Sequence, residues 1–251
     1  MKVGTWNVNG IRAREQQFLA WVREERPDAL FLQEIKANPE QLSQDLCTLP
    51  GYWCLWHGAG PYSGVCLALA RERFPVEPRF GHPPFDRENR VTIAESGDLL
   101  LASVYVPNGG RDYPGKLEFL ERMSEWVEQL QRDGRTVALC GDLNVAREER
   151  DVHPKERKPH QVGTRPEERA LLERVIGAGL VDVGRALDPD NDELFTWWAP
   201  WRNLRQRNIG WRIDYVLASE GLAAKAISSI VQREVGTSDH GPVVVTFDST
   251  F

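Results

Sequence analysis

Short apolar runs recur along this chain, and several are closed by a side chain able to hold a cation or a phosphate. Asn7 and Asn9 end the first, Glu34 the second, Asp142 and Asn144 follow 136–141, Asp214 sits inside 213–217, and Asp239 with His240 precedes 243–247. Runs this short without a solvent face read as buried strands. Strands stacked side by side would bring carboxylates, carboxamides and one imidazole to a single sheet edge, the raw material of metal-dependent hydrolysis.

At 251 residues the chain exceeds the usual length per domain, yet single layered β folds reach this size, so one domain over 1–251 with a large core is expected. The net charge of -6 argues against a nucleic-acid partner only if charge is spread evenly, and it is not. Arg202 to Arg212 holds four arginines and no acid, and Lys155, Arg157, Lys158 and His160 form a second basic run. Taken alone, such runs more commonly mark a solvated face. Cys47, Cys54, Cys66 and Cys140 show no paired spacing, and all read as reduced core residues of an intracellular protein. No apolar leader precedes the first strand-like segment and no run is long enough to span a membrane. A soluble, cytoplasmic protein is the expectation.

Strands are expected at 3–8 and 29–33, separated by an amphipathic helix that carries Phe18, Leu19 and Val22 and stops before Pro27. Runs 52–56 and 65–70 pair across the 58–64 turn region, and 91–95 with 99–106 forms the clearest hairpin. A long helix at 116–132 places Leu117, Leu120, Met123, Val127 and Leu130 on one stripe. A buried strand follows at 136–140, a helix at 166–178 ended by Gly177 and Gly179, and strands at 213–217 and 243–247. Strands in two groups with interspersed helices imply two packed sheets covered on their outer faces by helices. No repeat, low-complexity tract or linker interrupts them.

Glu34 closes the run Ala29, Leu30, Phe31, Leu32, so its carboxylate enters a dry setting unless it meets a cation. A metal is one such cation; Lys36, in a structural ion pair, is another. Asp142 and Asn144 project to one side of an extended backbone, and Gly141 permits close approach from above. An Asx turn ending the strand accounts for the same residues. Asp239-His240 by itself is usually a turn, but Asp214 inside an apolar stretch needs a partner, and an imidazole is the natural one. An aspartate accepting from one ring nitrogen keeps the imidazole protonated, ready to donate to a phosphate oxygen. Oxygen ligands without cysteines or paired histidines nearby favour Mg2+, or Mn2+ in its place, over zinc. Trp197, Trp198, Trp201 and Trp211 interleave with Arg202, Arg205, Arg207 and Arg212. Aromatics alone would more often be core, whereas this mixture looks like a surface that stacks on sugars or bases and neutralises phosphates.

Seven segments in order carry a family resemblance: Thr5-Trp6-Asn7-Val8-Asn9-Gly10, Leu32-Gln33-Glu34-Ile35-Lys36, Tyr62-Ser63-Gly64-Val65, Val104-Tyr105-Val106-Pro107-Asn108, Gly141-Asp142-Leu143-Asn144, Gly210-Trp211-Arg212-Ile213-Asp214-Tyr215 and Ser238-Asp239-His240. Over essentially its whole length the chain resembles the exonuclease III family of class II abasic-site endonucleases, within the endonuclease/exonuclease/phosphatase superfamily. The resemblance implies a four-layer α/β sandwich of DNase I-like architecture, two packed mixed sheets flanked by helices, with the site at one end. It implies Glu34 as principal metal ligand, Asn7 and Asn9 beside it, and Asp239 at a second or moving metal. Asp142, held by Asn144, would activate the attacking water. His240, braced by Asp214, would bind the scissile phosphate, with Tyr105 on that phosphate or the leaving oxygen. The implied reaction is a nick 5' to an abasic site in duplex DNA, leaving a 3'-hydroxyl, with trimming of blocked 3' ends and 3' to 5' exonuclease activity.

By the same resemblance Trp197, Trp211 and Ile213 form the pocket for an extruded abasic sugar, too small for a base. Arg111 matches a position inserted beside the lesion, Trp201 a minor-groove wedge, and Arg12, Tyr62, Arg90 and Asn108 lie at DNA-contacting positions. A monomer is expected. Asn9 departs from the acid of many relatives, Trp197 from a common Phe, and Arg165 from Ser or Thr before the proline. Thr164 with Glu167 could still form a capping box. Without an N-terminal extension, redox or targeting roles attached to one have no basis. Two other classes compete: a superfamily phosphatase or phosphodiesterase acting on a non-DNA phosphoester, which has little use for the Trp and Arg cluster, and a binding module without catalysis.

Overall fold

In the run 29–33, successive side chains enter different cores, and that alternation explains the layering. Ala29 and Phe31 belong to one apolar cluster, Leu30 and Leu32 to another, and all are buried. A strand covered on both faces has no use for polar alternation, so it reads as a continuous apolar run.

The computed structural model describes residues 1–248. They form β1 (Lys2–Asn7), α1 (Ile11–Glu25), β2 (Ala29–Gln33), α2 (Gln44–Thr48), β3 (Tyr52–His57), β4 (Val65–Ala70) and β5 (Arg79–Gly81). β6 (Val91–Ser96), β7 (Leu99–Tyr105), α3 (Tyr113–Arg132), β8 (Thr136–Asp142), α4 (Pro166–Gly177), β9 (Leu180–Asp182) and α5 (Val183–Leu187) follow. β10 (Asp214–Ser219), α6 (Glu220–Ala223), β11 (Ala226–Val231) and β12 (Val243–Phe247) complete the set.

The strands make two six-stranded mixed sheets, ordered β11-β12-β1-β2-β4-β3 and β5-β6-β7-β8-β10-β9. The inner faces share a core that includes Val3, Phe31, Leu67, Leu101, Ala138, Val216 and Val245. On the outer face of the first sheet, Trp6, Leu30, Leu32 and Val244 pack against Phe18, Leu19, Trp21 and Val22 of α1. On the outer face of the second, Ala102, Val104, Leu139 and Leu217 meet Phe119, Leu120, Met123 and Val127 of α3 and Leu172 and Val175 of α4. The architecture is the expected four-layer α/β sandwich.

Gly141 permits the closest approach within the second sheet. Its φ is +148°, and a Cβ there would fall 1.9 Å from the Val104 carbonyl oxygen. Only hydrogen fits between β7 and β8 one residue before Asp142.

Several expectations need correction. Leu117 is half-buried, and the inward stripe of α3 runs instead through Lys116, Phe119, Leu120, Met123, Ser124, Val127 and Leu130. Arg165, not Thr164, caps α4: Glu168 Oε1 accepts from the backbone N–H of Arg165 at 3.1 Å, while the Thr164 hydroxyl donates to the Gln161 carbonyl. The Thr164–Glu167 box does not form because the helix begins one residue later than that pairing needs. Cys66 and Cys140 are buried, but Cys47 is exposed and Cys54 half-buried. Strand β11 was not foreseen, because Ser228 and Ser229 interrupt its alternation and Ile227 and Ile230 face solvent at the sheet edge. Among the described residues, no helix is long and apolar enough to cross a membrane.

Candidate active site

The site residues come from one end of both sheets rather than from the edge of one. In the second sheet Tyr105, Asp142 and Asp214 stand in a single row, because β7 and β8 pair Tyr105 with Asp142 while β8 and β10 pair Asp142 with Asp214. In the first sheet β1 ends on Asn7 and β2 on Gln33, paired with each other, and Glu34 follows directly. His240 enters just before β12. Four of the residues that turn away from strand ends hold left-handed backbone: Asn9 (φ 45°), Glu34 (φ 50°), Lys36 (φ 50°) and Asn144 (φ 51°). Such conformations cost about 1–3 kcal/mol each outside glycine and persist only where the surroundings enforce them.

Asn7 joins the two sheets. Its Nδ2 donates to Glu34 Oε1 at 2.8 Å and to Asp142 Oδ2 at 2.9 Å. Asp142 also accepts from the Asn144 backbone N–H at 2.9 Å and from Asn144 Nδ2 at 3.3 Å. Both the Asx turn and a convergent carboxylate are therefore present. His240 Nδ1 lies 2.9 Å from Asp214 Oδ2, leaving Nε2 facing Asp142 Oδ2 at 3.8 Å. Thr196, which sequence reasoning missed, completes the brace: its hydroxyl donates to Asp214 Oδ2 at 2.6 Å and accepts from the N–H groups of Ile213 and Asp214. No local signal marks Thr196, because its partners lie 17 and 18 residues away.

Burial pushes the Asp142 carboxyl up, and neighbouring Asp214 and Glu34 add to that despite His240. For His240 burial acts downward, but Asp214 and then Asp142 and Asp239 outweigh it and raise the imidazole, so it stays protonated. Burial would raise Glu34, yet hydrogen bonds from Asn7 and Lys36 hold it below its ordinary value. Burial, followed by the charges of nearby Glu34 and Asp142, drives the pKa of the Tyr105 hydroxyl upward.

One ligand atom each from Glu34, Asp142 and His240 lies within 4.8 Å of the others. The two carboxylates of that group, with Asp214 behind His240, supply the hard oxygen donors that suit a divalent cation. Lys36 Nζ meanwhile pairs with Glu34 Oε2 at 2.7 Å and donates to Asn9 Oδ1 at 2.6 Å, so the ion pair is real as well. Asn9 Nδ2 donates to Asp239 Oδ1, and Trp197 Nε1 to Asp239 Oδ2 at 2.9 Å. Both Asp239 oxygens are thus engaged, and Asp239 stands outside the converging group. A Phe in place of Trp197 would lack that donor.

Beside His240, Trp197 and Trp211 meet edge to face at 5.9 Å, over an apolar cluster of Ala146, Val152 and Ile213. The aromatic run does not act as one surface. Trp198 is core at 1% exposed, Trp211 and Ile213 are walls at 6%, and Trp201 projects at 58%. The arginines also divide, correcting their reading as a phosphate-neutralising set. Arg212 is buried, bidentate to Asp151 and to Asp182 at 2.7–3.0 Å. Arg205 is half-buried and donates to the carbonyls of Arg233, Val235 and Ser238. Arg202 and Arg207 remain exposed, as do Lys155, Arg157, Lys158 and His160.

On the rim, the Arg90 guanidinium lies 4.8 Å over the Tyr105 ring and Arg111 lies 5.8 Å over exposed Tyr62. Arg12 is exposed at the start of α1, and exposed Asn108 accepts from the Gly110 N–H.

The sequence profile of the endonuclease/exonuclease/phosphatase family matches residues 4–240. The chain belongs to this family. Within the family, DNA repair nuclease APEX1 of Danio rerio is 35% identical over 256 residues, covering 98% of this chain and 81% of that protein. Exodeoxyribonuclease of Bacillus subtilis (strain 168) is 34% identical over 250 residues, 97% of this chain and 98% of that one. An AP endonuclease structure from Archaeoglobus fulgidus superposes with TM-score 0.89 at 28% identity, covering 99% and 100% of the two chains. The chain spans 37% of the longer Recombination repair protein 1 of Drosophila melanogaster, to which it is 34% identical.

Proposed function

We propose that this protein is a DNA-repair nuclease that hydrolyses the phosphodiester 5' to an abasic site in duplex DNA, and that it also trims blocked 3' ends. The observation that carries the reading is the facing of Asp142 and His240 across one small space, directly beside the walls of Trp197, Trp211 and Ile213. A phosphate placed there has its neighbouring sugar in the pocket. Trp211 Nε1 is buried with no hydrogen-bond partner among the described residues.

In this reading protonated His240 donates from Nε2 to a non-bridging phosphate oxygen, while Asp214 and Thr196 fix the ring. Asp142, with its proton affinity raised, takes the proton of a water aligned for in-line attack. The P–O3' bond breaks as the P–O bond to water forms. The leaving oxygen takes a proton from solvent to end as a 3'-hydroxyl, and the phosphate stays on the abasic sugar. Glu34 and Asp142, whose carboxylates Asn7 Nδ2 spans, would hold Mg2+, or Mn2+ in its place, which when bound supplies Lewis-acid stabilisation of the developing charge. Tyr105 orients Glu34 and reaches the phosphate, and Arg12, Tyr62, Arg90, Asn108, Arg111 and Trp201 track the duplex. A non-DNA phosphoester leaves the tryptophan walls without a purpose. We also take the chain to be one domain acting as a monomer on chromosomal DNA in a reducing interior, in keeping with its four free cysteines.

The test is Asp142→Asn. Turnover of abasic duplex in Mg2+ should fall by at least about 10²-fold, the scale of a lost general base, with DNA binding retained. Near-normal turnover by Asp142→Asn would remove it from the water-activating role, and undiminished cleavage in EDTA would remove the metal.

A further inference from the structure

A second cluster with ligand chemistry shares no residue with the group around Glu34. His57 ends β3, and His82 and Asp86 lie on the segment between β5 and β6; one ligand atom from each falls within 4.8 Å of the others. His57 Nε2 is 2.7 Å from Asp86 Oδ2, and the two imidazoles stack with centroids 3.7 Å apart at 25°.

Each side chain is also aimed from behind. His82 Nδ1 lies 3.0 Å from the Val91 carbonyl, which only accepts, so Nδ1 carries the proton and Nε2 is the free ligand atom. Asp86 Oδ1 accepts from the N–H groups of Arg90 at 2.8 Å and Val91 at 2.9 Å, which turns Oδ2 toward His57. Burial acts to raise Asp86, but the hydrogen bonds from His57 and the two amides hold it below its ordinary value, so it is ionised. His82 is exposed, which gives an ion a way in and room for water ligands.

We propose that His57, His82 and Asp86 form a second metal site, with Zn2+ as the ion that two imidazoles, one carboxylate and an open position suit best. Binding releases to solvent the proton now shared by His57 and Asp86. The ion ties the segment 82–90 to the edge of the first sheet. That segment carries Arg90, which stands over Tyr105, and Glu88, whose carbonyl accepts from the Ser63 hydroxyl. The site is therefore a clamp on the rim of the DNA-facing end, distinct in ligand chemistry from the oxygen-rich cluster around Glu34.

The experiment is calorimetric titration of Zn2+ into the metal-stripped full chain, into His82→Ala and into Asp86→Asn, each repeated with Glu34→Gln to disable the oxygen-rich cluster. One Zn2+ should bind in a step that survives Glu34→Gln and weakens by at least about 10-fold in His82→Ala and Asp86→Asn. His82 is exposed and Asn keeps the Oδ1 acceptor, so both variants should fold. With Cu2+ as probe, electron paramagnetic resonance of the Glu34→Gln protein should show two coupled imidazoles, where the other cluster offers only His240. Equal Zn2+ affinity in His82→Ala, loss of the step on Glu34→Gln alone, or a single coupled imidazole would each overturn the site.

Discussion

At the scale of single residues, the candidate site is a set of side chains whose neighbours decide their protonation. His240 is raised because Asp214, held by Thr196, outweighs the burial that would lower it. A raised imidazole is protonated at every pH below its folded pKa and loses that charge only as pH climbs through it. Asp214→Asn removes the main charge, so the alkaline limb of the kcat/KM profile should move toward lower pH by roughly 1–3 units. An alkaline limb that stays in place would show that His240 does not carry the phosphate-binding proton. Glu34, Asp142 and Asp214 were legible in the sequence because charged groups within or at the end of apolar runs demand partners, and His240 was legible as the natural partner of Asp214, whereas Asp239 was marked by family resemblance. What each touches was not legible. The left-handed backbone of Glu34 and Lys36 leaves no mark in residue type, and neither does the capture of Asp239 by Trp197.

At the scale of elements, a buried ion pair fixes the loop that carries Asn144. Lys116 of α3 and Glu168 of α4 are both fully buried and paired, and Lys116 Nζ donates to the Asn144 carbonyl at 2.7 Å. Glu168 Oε1 also accepts from the backbone N–H groups of Gly163 and Arg165. Lys116→Met should destabilise the fold by about 3–5 kcal/mol, because it leaves a buried carboxylate unpaired. Adding Glu168→Gln should recover much of that loss, and urea denaturation of the single and double variants measures it. A double variant no more stable than Lys116→Met would mean that the pair is not the source. Apolar runs located two strands to the residue, since β4 and β12 fall at the expected bounds, whereas α3 begins at Tyr113, ahead of its expected start at 116. Periodicity could not foresee Lys116 facing inward, because one cation on a helix reads as solvent-exposed until its acid arrives from a helix far along the chain.

At the scale of the whole molecule, an arginine network backs the pocket. Arg212 and Arg185 hold Asp151, and Arg212 also holds Asp182, all buried behind Trp211 and Ile213. Burial would raise Asp151, but Arg212 and the hydrogen bonds around it keep it below its ordinary value. A depressed carboxyl contributes stability in full above its unfolded pKa, about 3.9, and loses it as pH falls through the lower folded value. Stability from this source should therefore hold above about pH 5 and decline below about pH 4. Arg212→Met should remove it at neutral pH, costing about 3–5 kcal/mol in thermal or urea unfolding. The basic run that includes Arg212 thus serves the core as well as the surface, a division invisible to charge counting. The two sheets were legible as groups of strands, but their meeting end depends on register, which places Tyr105, Asp142 and Asp214 in one row. Cleavage of DNA at a missing base is the activity proposed for this end. The most direct test is single-turnover cleavage in Mg2+ of a duplex with one central abasic-site analogue, run beside an undamaged duplex and a recessed 3' end. A nick immediately 5' to the lesion, absent from the undamaged duplex, with slower trimming of the recessed end, is the predicted result. No cleavage of any of the three by folded, Mg2+-supplied protein would contradict it.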